Sequence, residues 1–535
     1  MDKVVIVGSG ASGVHFALSL LRKGYDVHML DVGACGSPPI NQQDSFVELK
    51  TKLIDPVAYF LGEDFSGVLL PESKSEYYGI PPNKSYVIEN VDDGIRTSGF
   101  SPLWSFAQGG LAQAWTGGVY PFNSSELEQY PFHYNDIEPH YSEVAKRIGI
   151  SGANDDLSRF MPVHDHLLNP LRLDEHSALL LAEYAKHKLF FNSKLRCYFG
   201  RSRIATLTAA RSGRKACSYL GRCLWGCPTE AFYTPLITLR DCQAFSNFRY
   251  DPGLRVSHFK FNAKRQITSL VAKSLDGREK QDLPLDKLVL AAGTLSSSKI
   301  FLQSIYEGTG EIVKLRGLMD NRQILIPFMN LKMIGRPFNP GSYQYHQIAF
   351  GLEGNHPAEY LHGLVTTLKT ALIHPIVQKL PLDLKTAIVL FRNLHAALGL
   401  VNLNVFDTRR DENFITLEEG NRTSEKVLKI NYVPPSTESM LIREVLRKVK
   451  ALLWKLKCIV PPGMIHVRPM GASVHYAGTI PMSQNNRSLT TSDYCQSRDF
   501  NNLYIVDGST FPFLPAKNIT FTLMANAVRV AESVF

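Results

Sequence analysis

Three glycines follow the first apolar run of the chain, residues 4–7, at the spacing Gly8-x-Gly10-x-x-Gly13. In a turn from strand to helix, the first glycine permits the tight bend, the second lets a pyrophosphate approach the backbone, and the third lets the helix pack on the strand. The free N–H groups at the start of such a helix bind phosphate. Asp31 ends the next apolar stretch, where a carboxylate accepts hydrogen bonds from ribose hydroxyls. These residues predict a dinucleotide site.

The elements that position this loop follow from the apolar pattern. The continuous apolar run at residues 4–7 is typical of a strand that is buried on both faces. A helical pattern continues through Leu21, and residues 26–31 form a second strand, which completes a βαβ unit of about thirty residues. The glycine motif does not itself distinguish NAD from FAD. The motif begins within the first ten residues of a long chain, and the far end of the chain contributes to the same site. This arrangement favours FAD.

Length and composition indicate a globular protein of two interleaved domains. The chain has 535 residues, of which 44% are hydrophobic and 20% charged, so the disordered and collagen-like classes are excluded. No apolar run reaches the roughly 18 residues that span a bilayer. The N-terminus lacks the layout of a signal peptide, which predicts a cytoplasmic protein whose cysteines are reduced thiols.

The net charge of +9 raises the question of an anionic partner. Much of the excess lies in residues 438–457, where apolar residues repeat with helical period and basic residues fill other positions. We predict a surface helix whose apolar side faces the core, with attraction to an anionic membrane or a nucleotide-linked substrate as the alternative. Nucleic-acid binding has no motif or aromatic support.

Two other regions have less regular patterns. Residues 36–101 are rich in Pro, Gly, Ser and Asp, which indicates long loops with short strands. Residues 362–406 mix apolar runs with basic residues. For the second region we predict core helices of a substrate-binding domain, and contact with a membrane surface or a lipid-like substrate is the alternative.

Five blocks of the sequence carry a family resemblance. Residues 475–482 are HYAGTIPM, residues 503–512 are LYIVDGSTFP, and residues 518–522 are NITFT. Residues 291–298 are AAGTLSSS, and residues 109–116 are GGLAQAWT. These segments resemble the glucose–methanol–choline (GMC) oxidoreductase family, whose C-terminal segments are H-P-x-G-T-C-x-M, V-D-[GA]-S-x-x-P and an N-P-T-x-T-like helix start. The G-G-x-x-x-x-W-T form is similar to that of the pyranose-oxidase-like branch.

The resemblance implies a fold class and a domain order. It implies an α/β protein with an FAD-binding Rossmann-like domain of the GMC type and an interleaved α+β substrate-binding domain. Residues 1–316 are expected to form the FAD-binding domain, with inserted loops and part of the substrate domain. Residues 317–460 are expected to form the substrate-binding domain, and residues 461–535 to return to the FAD domain with the active site.

The resemblance also implies the site residues. His475 matches the family's active-site histidine, and Asn518 matches its second active-site residue, which is His or Asn. A histidine suits proton transfer because its ordinary pKa lies near neutral pH, and an amide can hold a substrate oxygen without competing for the proton. No metal ligand is predicted. The residues expected to contact FAD, by motif or by resemblance, are Gly8, Gly10, Gly13, Asp31, Gly109, Gly110, Trp115, Thr116, Val256, Ala292, Gly293, Asp507, Gly508 and Thr520.

The predicted function is hydride transfer between a sugar- or polyol-like alcohol and a flavin, with His475 as acid/base. A redox-neutral lyase or isomerase of the same fold and a non-catalytic, Rab-escort-like binding protein are the alternatives. Ala114 stands where the pyranose-oxidase-like branch carries the histidine that tethers its flavin. Because alanine cannot form that bond, we predict noncovalent FAD. No sequence feature identifies the electron acceptor.

Two further features resemble functional motifs. Cys217, Cys223 and Cys227 resemble the end of a ferredoxin-type run, but a cluster normally takes four thiolates, and only three lie close together. We predict a loop with buried thiols, with a metal or cluster as the alternative. His466 lies in a segment that partly imitates the family motif, yet the Gly-Thr and Met spacing fits better after His475.

Overall fold

The first strand of the chain lies in the middle of a parallel sheet. The computed structural model describes residues 3–36, 40, 43–63, 65, 76, 78–88, 95–275, 280–369, 377, 380–420 and 426–535. In spatial order, the five strands of this sheet are Leu503–Ile505, Lys287–Leu290, Lys3–Val7, Asp26–Leu30 and Phe248–Asp251. All four neighbouring pairs run parallel, which confirms the α/β class.

The predicted βαβ unit opens the chain. The strand Lys3–Val7 is buried from Val4 onward, because helices pack on one face of the sheet and the strands of residues 254–274, with a further helix, pack on the other. The helix Ala11–Arg22 begins directly after Gly10. The next strand, Asp26–Leu30, ends one residue before Asp31. The strand, turn and helix therefore stand where the glycine spacing predicts them.

The two ends of the chain meet on this sheet. The last helix, Thr520–Val534, packs along the first helix, Ala11–Arg22, and the rings of Phe16 and Phe535 meet edge to face at 5.4 Å between centroids. The strand Leu503–Ile505 forms one edge of the sheet. The glycine loop and the C-terminal segment are consequently brought to the same carboxyl edge of the parallel strands.

A larger antiparallel sheet lies apart from the first. In spatial order, its main path is Cys458–Ile459, Arg322–Asn330, Leu398–Val405, Leu361–Thr367, Ile348–Leu352 and Cys197–Arg201, and His466–Val467 also pairs with the second of these. One face is apolar and packs against the helices Glu438–Lys455 and Glu175–Lys186. The cross-strand register places four polar side chains on the opposite face, namely Gln323, His362, Asn402 and Asn404.

Smaller sheets and helices complete the described structure. The strands Leu254–Phe261, Ile267–Ser274 and Lys280–Pro284 form a meander, and Lys314–Arg316, Phe414–Glu418, Val427–Asn431 and Ile95–Ser98 form a four-stranded sheet. Asp407–Thr408 pairs with Phe513–Leu514, and Ile150–Ser151 with Leu167–Leu168. Further helices of the described residues are Phe46–Lys52, Pro56–Leu61, Tyr134–Ile148, Lys188–Phe190, Pro235–Gln243, Thr294–Thr309 and Leu384–Leu394.

Two regional predictions are wrong in part. Within residues 36–101, the segments Phe46–Lys52 and Pro56–Leu61 are helices rather than loops, because Ser45 and Asp55 cap their first turns. Within residues 362–406, the core elements are strands. The helix Leu384–Leu394 lies at the surface and buries only Ala387 and Phe391, since the apolar runs on either side of it pair into the antiparallel sheet.

The predicted surface helix of residues 438–457 is confirmed. The helix Glu438–Lys455 buries Val445, Val449, Leu452 and Leu453 against the core and leaves its basic face outside. All eight cysteines are free thiols. Among the described residues, no helix is both long and apolar enough to cross a membrane.

Candidate active site

The three glycines of the first loop have different structural roles. Gly8 has φ of +102°, and a Cβ added there would lie 2.7 Å from the Ala291 carbonyl oxygen. A Cβ at Gly13 would lie 2.1 Å from the Gly8 carbonyl oxygen. A Cβ at Gly10, by contrast, would meet no atom closer than 3.9 Å. Gly8 and Gly13 thus serve the close packing of strand and helix, whereas Gly10 leaves space for a ligand.

That space is one long cavity of about 1620 Å³. It runs from the glycine loop and Asp31, past the strand Leu254–Phe261, to His475 and Asn518. Its volume exceeds the roughly 300–1,000 Å³ of an ordinary small-molecule pocket, which suits a dinucleotide together with a substrate. Every residue predicted to contact FAD lines this cavity except Gly13, which supports the loop from behind.

Asp31 lies at one end of the cavity. Its Oδ2 accepts hydrogen bonds from Ser9 Oγ and, at 3.2 Å, from the Tyr250 hydroxyl. Burial raises the pKa of Asp31 to about 6. Ser9 Oγ also accepts from the Gly109 N–H at 2.9 Å, so the two glycine-rich segments are tied together beside this carboxylate.

The second glycine segment continues along the cavity toward His475. Gly110 approaches the first loop so closely that an added Cβ would lie 3.6 Å from the Gly10 Cα. Trp115 Nε1 donates to the Tyr233 carbonyl at 2.9 Å, and Thr116 Oγ1 lies 3.1 Å from His346 Nε2. These contacts hold residues 109–116 as one wall of the cavity.

Asp507 joins the parallel sheet to the C-terminal segment. Its Oδ2 accepts from the Gly293 N–H at 3.0 Å and from Ser297 Oγ at 2.5 Å. Its Oδ1 accepts from the N–H of Ser509 at 3.1 Å and from its Oγ at 2.5 Å. Because both carboxylate oxygens are engaged within the protein, a ligand in the cavity would meet this turn at its backbone.

The last helix begins at the cavity. Thr520 is its first residue, and no side chain caps this N-terminus. The first-turn N–H groups therefore present a positive end to a ligand, next to Ile519 and Thr520, which line the cavity.

His475 and Asn518 lie together at the far end of the cavity. Asn518 Nδ2 is 3.3 Å from His475 Nε2, and the Asn518 Oδ1 is buried with no hydrogen-bond partner among the described residues. The two residues predicted from the sequence are thus in contact. The unpartnered Oδ1 of Asn518 can accept a hydrogen bond from a ligand.

Asn321 determines which nitrogen of His475 carries the proton. Asn321 Nδ2 donates to the carbonyls of Val405 at 2.9 Å and Pro515 at 3.0 Å, which fixes the orientation of the amide. Its Oδ1 can only accept, and it lies 2.9 Å from His475 Nδ1. Nδ1 therefore carries the hydrogen, and Nε2 carries the lone pair, to which Asn518 Nδ2 donates at 3.3 Å.

The electrostatics keep this imidazole neutral. Burial, with a smaller contribution from the charge of Arg468, lowers the pKa of His475 to about 4. The main chain is held as well, since Ser473 Oγ accepts from the His475 N–H at 3.0 Å. Sequence reasoning did not identify Asn321, because the two residues are 154 positions apart and no local motif marks the asparagine.

A buried ion pair supports Asn518 from behind. The fully buried Lys517 Nζ donates to Glu126 Oε2 at 2.5 Å and to the carbonyls of Pro121 and Phe160 at 2.8 and 2.7 Å. Burial lowers the pKa of Lys517 to about 8, and burial raises that of Glu126. All three ammonium hydrogens are used, so the segment before Asn518 is fixed.

The other suggestive residues lie elsewhere. His466 is exposed in an edge strand, 3.1 Å from Glu76 Oε2, and does not line the cavity. Cys217, Cys223 and Cys227 pack partly buried against an apolar cluster, and burial raises the pKa of Cys217 to about 11. Within the described part of the chain, no three His, Cys, Asp or Glu side chains are grouped as metal ligands.

A family comparison accounts for this C-terminal geometry. The family model described as GMC oxidoreductase matches residues 409–527. The C-terminal region is a GMC oxidoreductase domain. The GMC match includes His475, Asp507, Gly508, Asn518 and Thr520, whereas the glycine loop lies outside it.

Relatives that align over nearly the whole chain extend the comparison beyond the C-terminal region. The fructose dehydrogenase large subunit of Gluconobacter japonicus is 20% identical, over 99% of this chain and 97% of its own. The 2-methyl-1,2-propanediol dehydrogenase of Mycolicibacterium austroafricanum is 21% identical, over 99% and 94%. Pyridoxine 4-oxidase from Mesorbium loti has the same fold, with a TM-score of 0.62 and 15% identity over 100% and 99% of the two chains.

FAD is the cofactor that this cavity fits. The space next to Gly10 suits the phosphates, and the carboxylate of Asp31 suits a ribose. The uncapped N-terminus of the helix at Thr520 suits an electron-rich ring. The long shape of the cavity brings both kinds of site within reach of one ligand.

Proposed function

We propose that this protein is an FAD-dependent oxidoreductase that oxidises the CH–OH group of a sugar- or polyol-like alcohol. The observation that carries the proposal is the neutral His475 at the cavity wall, whose Nε2 lone pair accepts from the Asn518 amide, a donor that a substrate hydroxyl can replace. An alcohol oxidation needs a base at this place, because the hydroxyl proton must leave as hydride leaves carbon. The names of two relatives, a fructose dehydrogenase and a propanediol dehydrogenase, support this substrate class.

Three side chains have separate roles in the proposed oxidation. His475 Nε2 accepts the hydroxyl proton, and the Asn321 amide stabilises the resulting imidazolium by accepting from Nδ1. The Asn518 amide lies close enough to orient the substrate oxygen next to the base. When bound, FAD supplies the hydride acceptor.

We propose that the FAD is held noncovalently. Ala114 lines the cavity in the segment between Gly110 and Trp115, and its methyl group offers no nucleophile. Trichloroacetic acid should therefore release all the flavin into the supernatant. Yellow colour that remains with the precipitate would contradict this attachment.

The experiment that tests the proposal is anaerobic titration of the purified yellow protein with alcohols. We expect the visible absorbance of the oxidised flavin to bleach with sugars or polyols. Conversion of substrate without any change of colour would instead show a redox-neutral enzyme, and a protein that purifies without flavin would favour a binding role. His475→Ala should retain FAD. Its rate of flavin bleaching should fall by about 10²- to 10⁴-fold, which is the usual contribution of a general base.

A further inference from the structure

We propose that the substrate end of the cavity recognises a second oxygen of an uncharged polyol, through Arg468 and Asn402. The inference rests on the proposed function and adds to it the residues that select a polyol over a simple alcohol. Both side chains line the cavity, and neither belongs to the acid/base pair.

The two residues offer complementary groups. Arg468 is 8% exposed, and its Nη2 is buried with no hydrogen-bond partner among the described residues. The Asn402 Oδ1 is likewise buried without a partner. A guanidinium N–H needs an acceptor and an amide oxygen needs a donor, and a hydroxyl group is both. Leaving either one unpaired costs free energy, so the site favours a ligand that satisfies them.

Strand geometry places both residues on one wall next to His475. Arg468 Nη1 donates to Gln323 Oε1 at 2.7 Å, and the Arg468 N–H donates to the Gln323 carbonyl at 3.0 Å. Gln323 pairs with Asn404, and Leu325 pairs with Asn402, so Gln323 and Asn402 are diagonal neighbours on the cavity face of the antiparallel sheet. Asn321, two residues before Gln323, holds the imidazole.

The charge of Arg468 is already balanced, which argues for an uncharged ligand. Glu76 Oε1 accepts from Arg468 Nε at 2.7 Å, and both side chains are only 10% exposed. The Tyr78 ring lies 4.9 Å below the guanidinium. A ligand carboxylate would add a second negative charge to a compensated pair, whereas a hydroxyl oxygen needs only the open N–H.

The test compares two variants of the same strand, Asn402→Leu and Asn404→Leu. Leucine has nearly the shape of asparagine and leaves no protein donor or acceptor unpaired at position 402, where the Oδ1 has no partner. Asn404 is the matched control, because its amide is also buried and unpartnered and lies two residues away on the same face, but it does not line the cavity.

The substrates are the polyol that bleaches the flavin fastest, the analogue of it that lacks the neighbouring hydroxyl, and a hydroxy acid. We expect wild-type kcat/KM to favour the polyol over the analogue by at least about tenfold, and Asn402→Leu to lower that ratio by about tenfold, the loss of one hydrogen bond. Asn404→Leu should leave the ratio unchanged. The Kd of the hydroxy-ketone product, measured from the flavin spectrum, should rise in Asn402→Leu alone.

Several results would overturn the inference while the proposed function stands. One is an equal kcat/KM of the wild type for the polyol and its analogue, or a higher kcat/KM for the hydroxy acid. Another is an equal loss of kcat/KM for both substrates in Asn402→Leu, or the same change of their ratio in Asn404→Leu. A failure of the proposed function is distinct, because then no alcohol bleaches the flavin at all. Equal melting temperatures of the two variants show that folding is not the cause of a difference.

Discussion

Among single residues, His475 depends on Asn321 for both its orientation and its tautomer. The amide uses its two N–H groups on main-chain carbonyls and keeps its oxygen for the imidazole Nδ1. A third residue that orients the base is common in enzymes. In metal sites, loss of the partner that orients a histidine lowers activity by about 10- to 100-fold, and we expect a similar loss here. Here that partner is a neutral amide, which fixes the tautomer. A carboxylate in its place would also raise the pKa of the imidazole, and the amide does not.

We expect Asn321→Leu to lower kcat/KM by about 10- to 100-fold, because the ring can then adopt the other tautomer. The matched control is Asn502→Leu. Asn502 Nδ2 donates to the carbonyls of Ile267 and Asp286 at 2.9 and 2.7 Å, a similar bridging role away from the cavity. Both variants should lose similar stability, and only the first should lose activity and show an altered tautomer by ¹⁵N NMR of the ring. Equal activity losses would contradict the positioning role.

The pH dependence provides a second test at this scale. Because the pKa of His475 is lowered to about 4, its neutral form persists well below pH 6.5. The kcat/KM of the FAD-loaded protein should therefore fall only below about pH 5. The same shift lowers stability as pH falls from 6.5 to about 4, since only the unfolded chain takes up the proton there. An activity midpoint near pH 6.5 would refute this interpretation.

At the scale of elements, the turn before the last helix is held by the ion pair of Lys517 and Glu126. Both side chains are fully buried, and the Lys517 ammonium bridges to the main chain at Pro121 and Phe160. A buried pair of this kind contributes little net stability compared with apolar residues of similar size, but removal of one partner leaves an unpaired buried charge.

We expect Lys517→Met to cost about 3–5 kcal/mol of unfolding free energy, because Glu126 then remains buried alone. The double variant Lys517→Met with Glu126→Leu should recover most of that loss. Urea unfolding of the wild type, the two single variants and the double variant measures the difference. An additive loss in the double variant would show that the two charges do not act as a pair.

The glycine loop provides another test at the element scale. Gly13→Ala places a Cβ 2.1 Å from the Gly8 carbonyl oxygen, so we expect a less stable protein with little FAD. Gly10→Ala meets no protein atom within 3.9 Å, and it should fold normally while binding FAD more weakly. Melting temperature and flavin content after reconstitution separate the two effects. Full flavin content in Gly10→Ala would contradict the placement of the pyrophosphate next to Gly10.

For the whole molecule, a single ligand would connect elements from both ends of the chain and from its middle. The cavity is lined by the first loop, by the meander strand Leu254–Phe261 and by the start of the last helix. A ligand that binds only the folded state stabilises it by mass action. The melting temperature should consequently fall when FAD is removed and rise again with FAD concentration. A melting temperature that does not respond to FAD would contradict the shared site.

The sequence predicted the parts of this architecture that are encoded locally. The strand Lys3–Val7, the loop at Gly8–Gly13 and the helix Thr520–Val534 follow from short apolar patterns and glycine spacing. Asn321, Arg468 and Asn402 were not predicted, because their significance depends on contacts between strands that are distant in sequence. The surface helix Leu384–Leu394 was assigned to the core because its apolar residues give no indication of which side is covered.

The order of the parallel strands has a consequence for biosynthesis. The central strand, Lys3–Val7, is synthesised long before the edge strand Leu503–Ile505 and the segment that holds Asn518. A nascent chain thus displays the glycine loop long before the opposite wall of the cavity exists. We therefore expect stable flavin binding only when the chain includes the last helix, and fragments that end before residue 503 should be colourless.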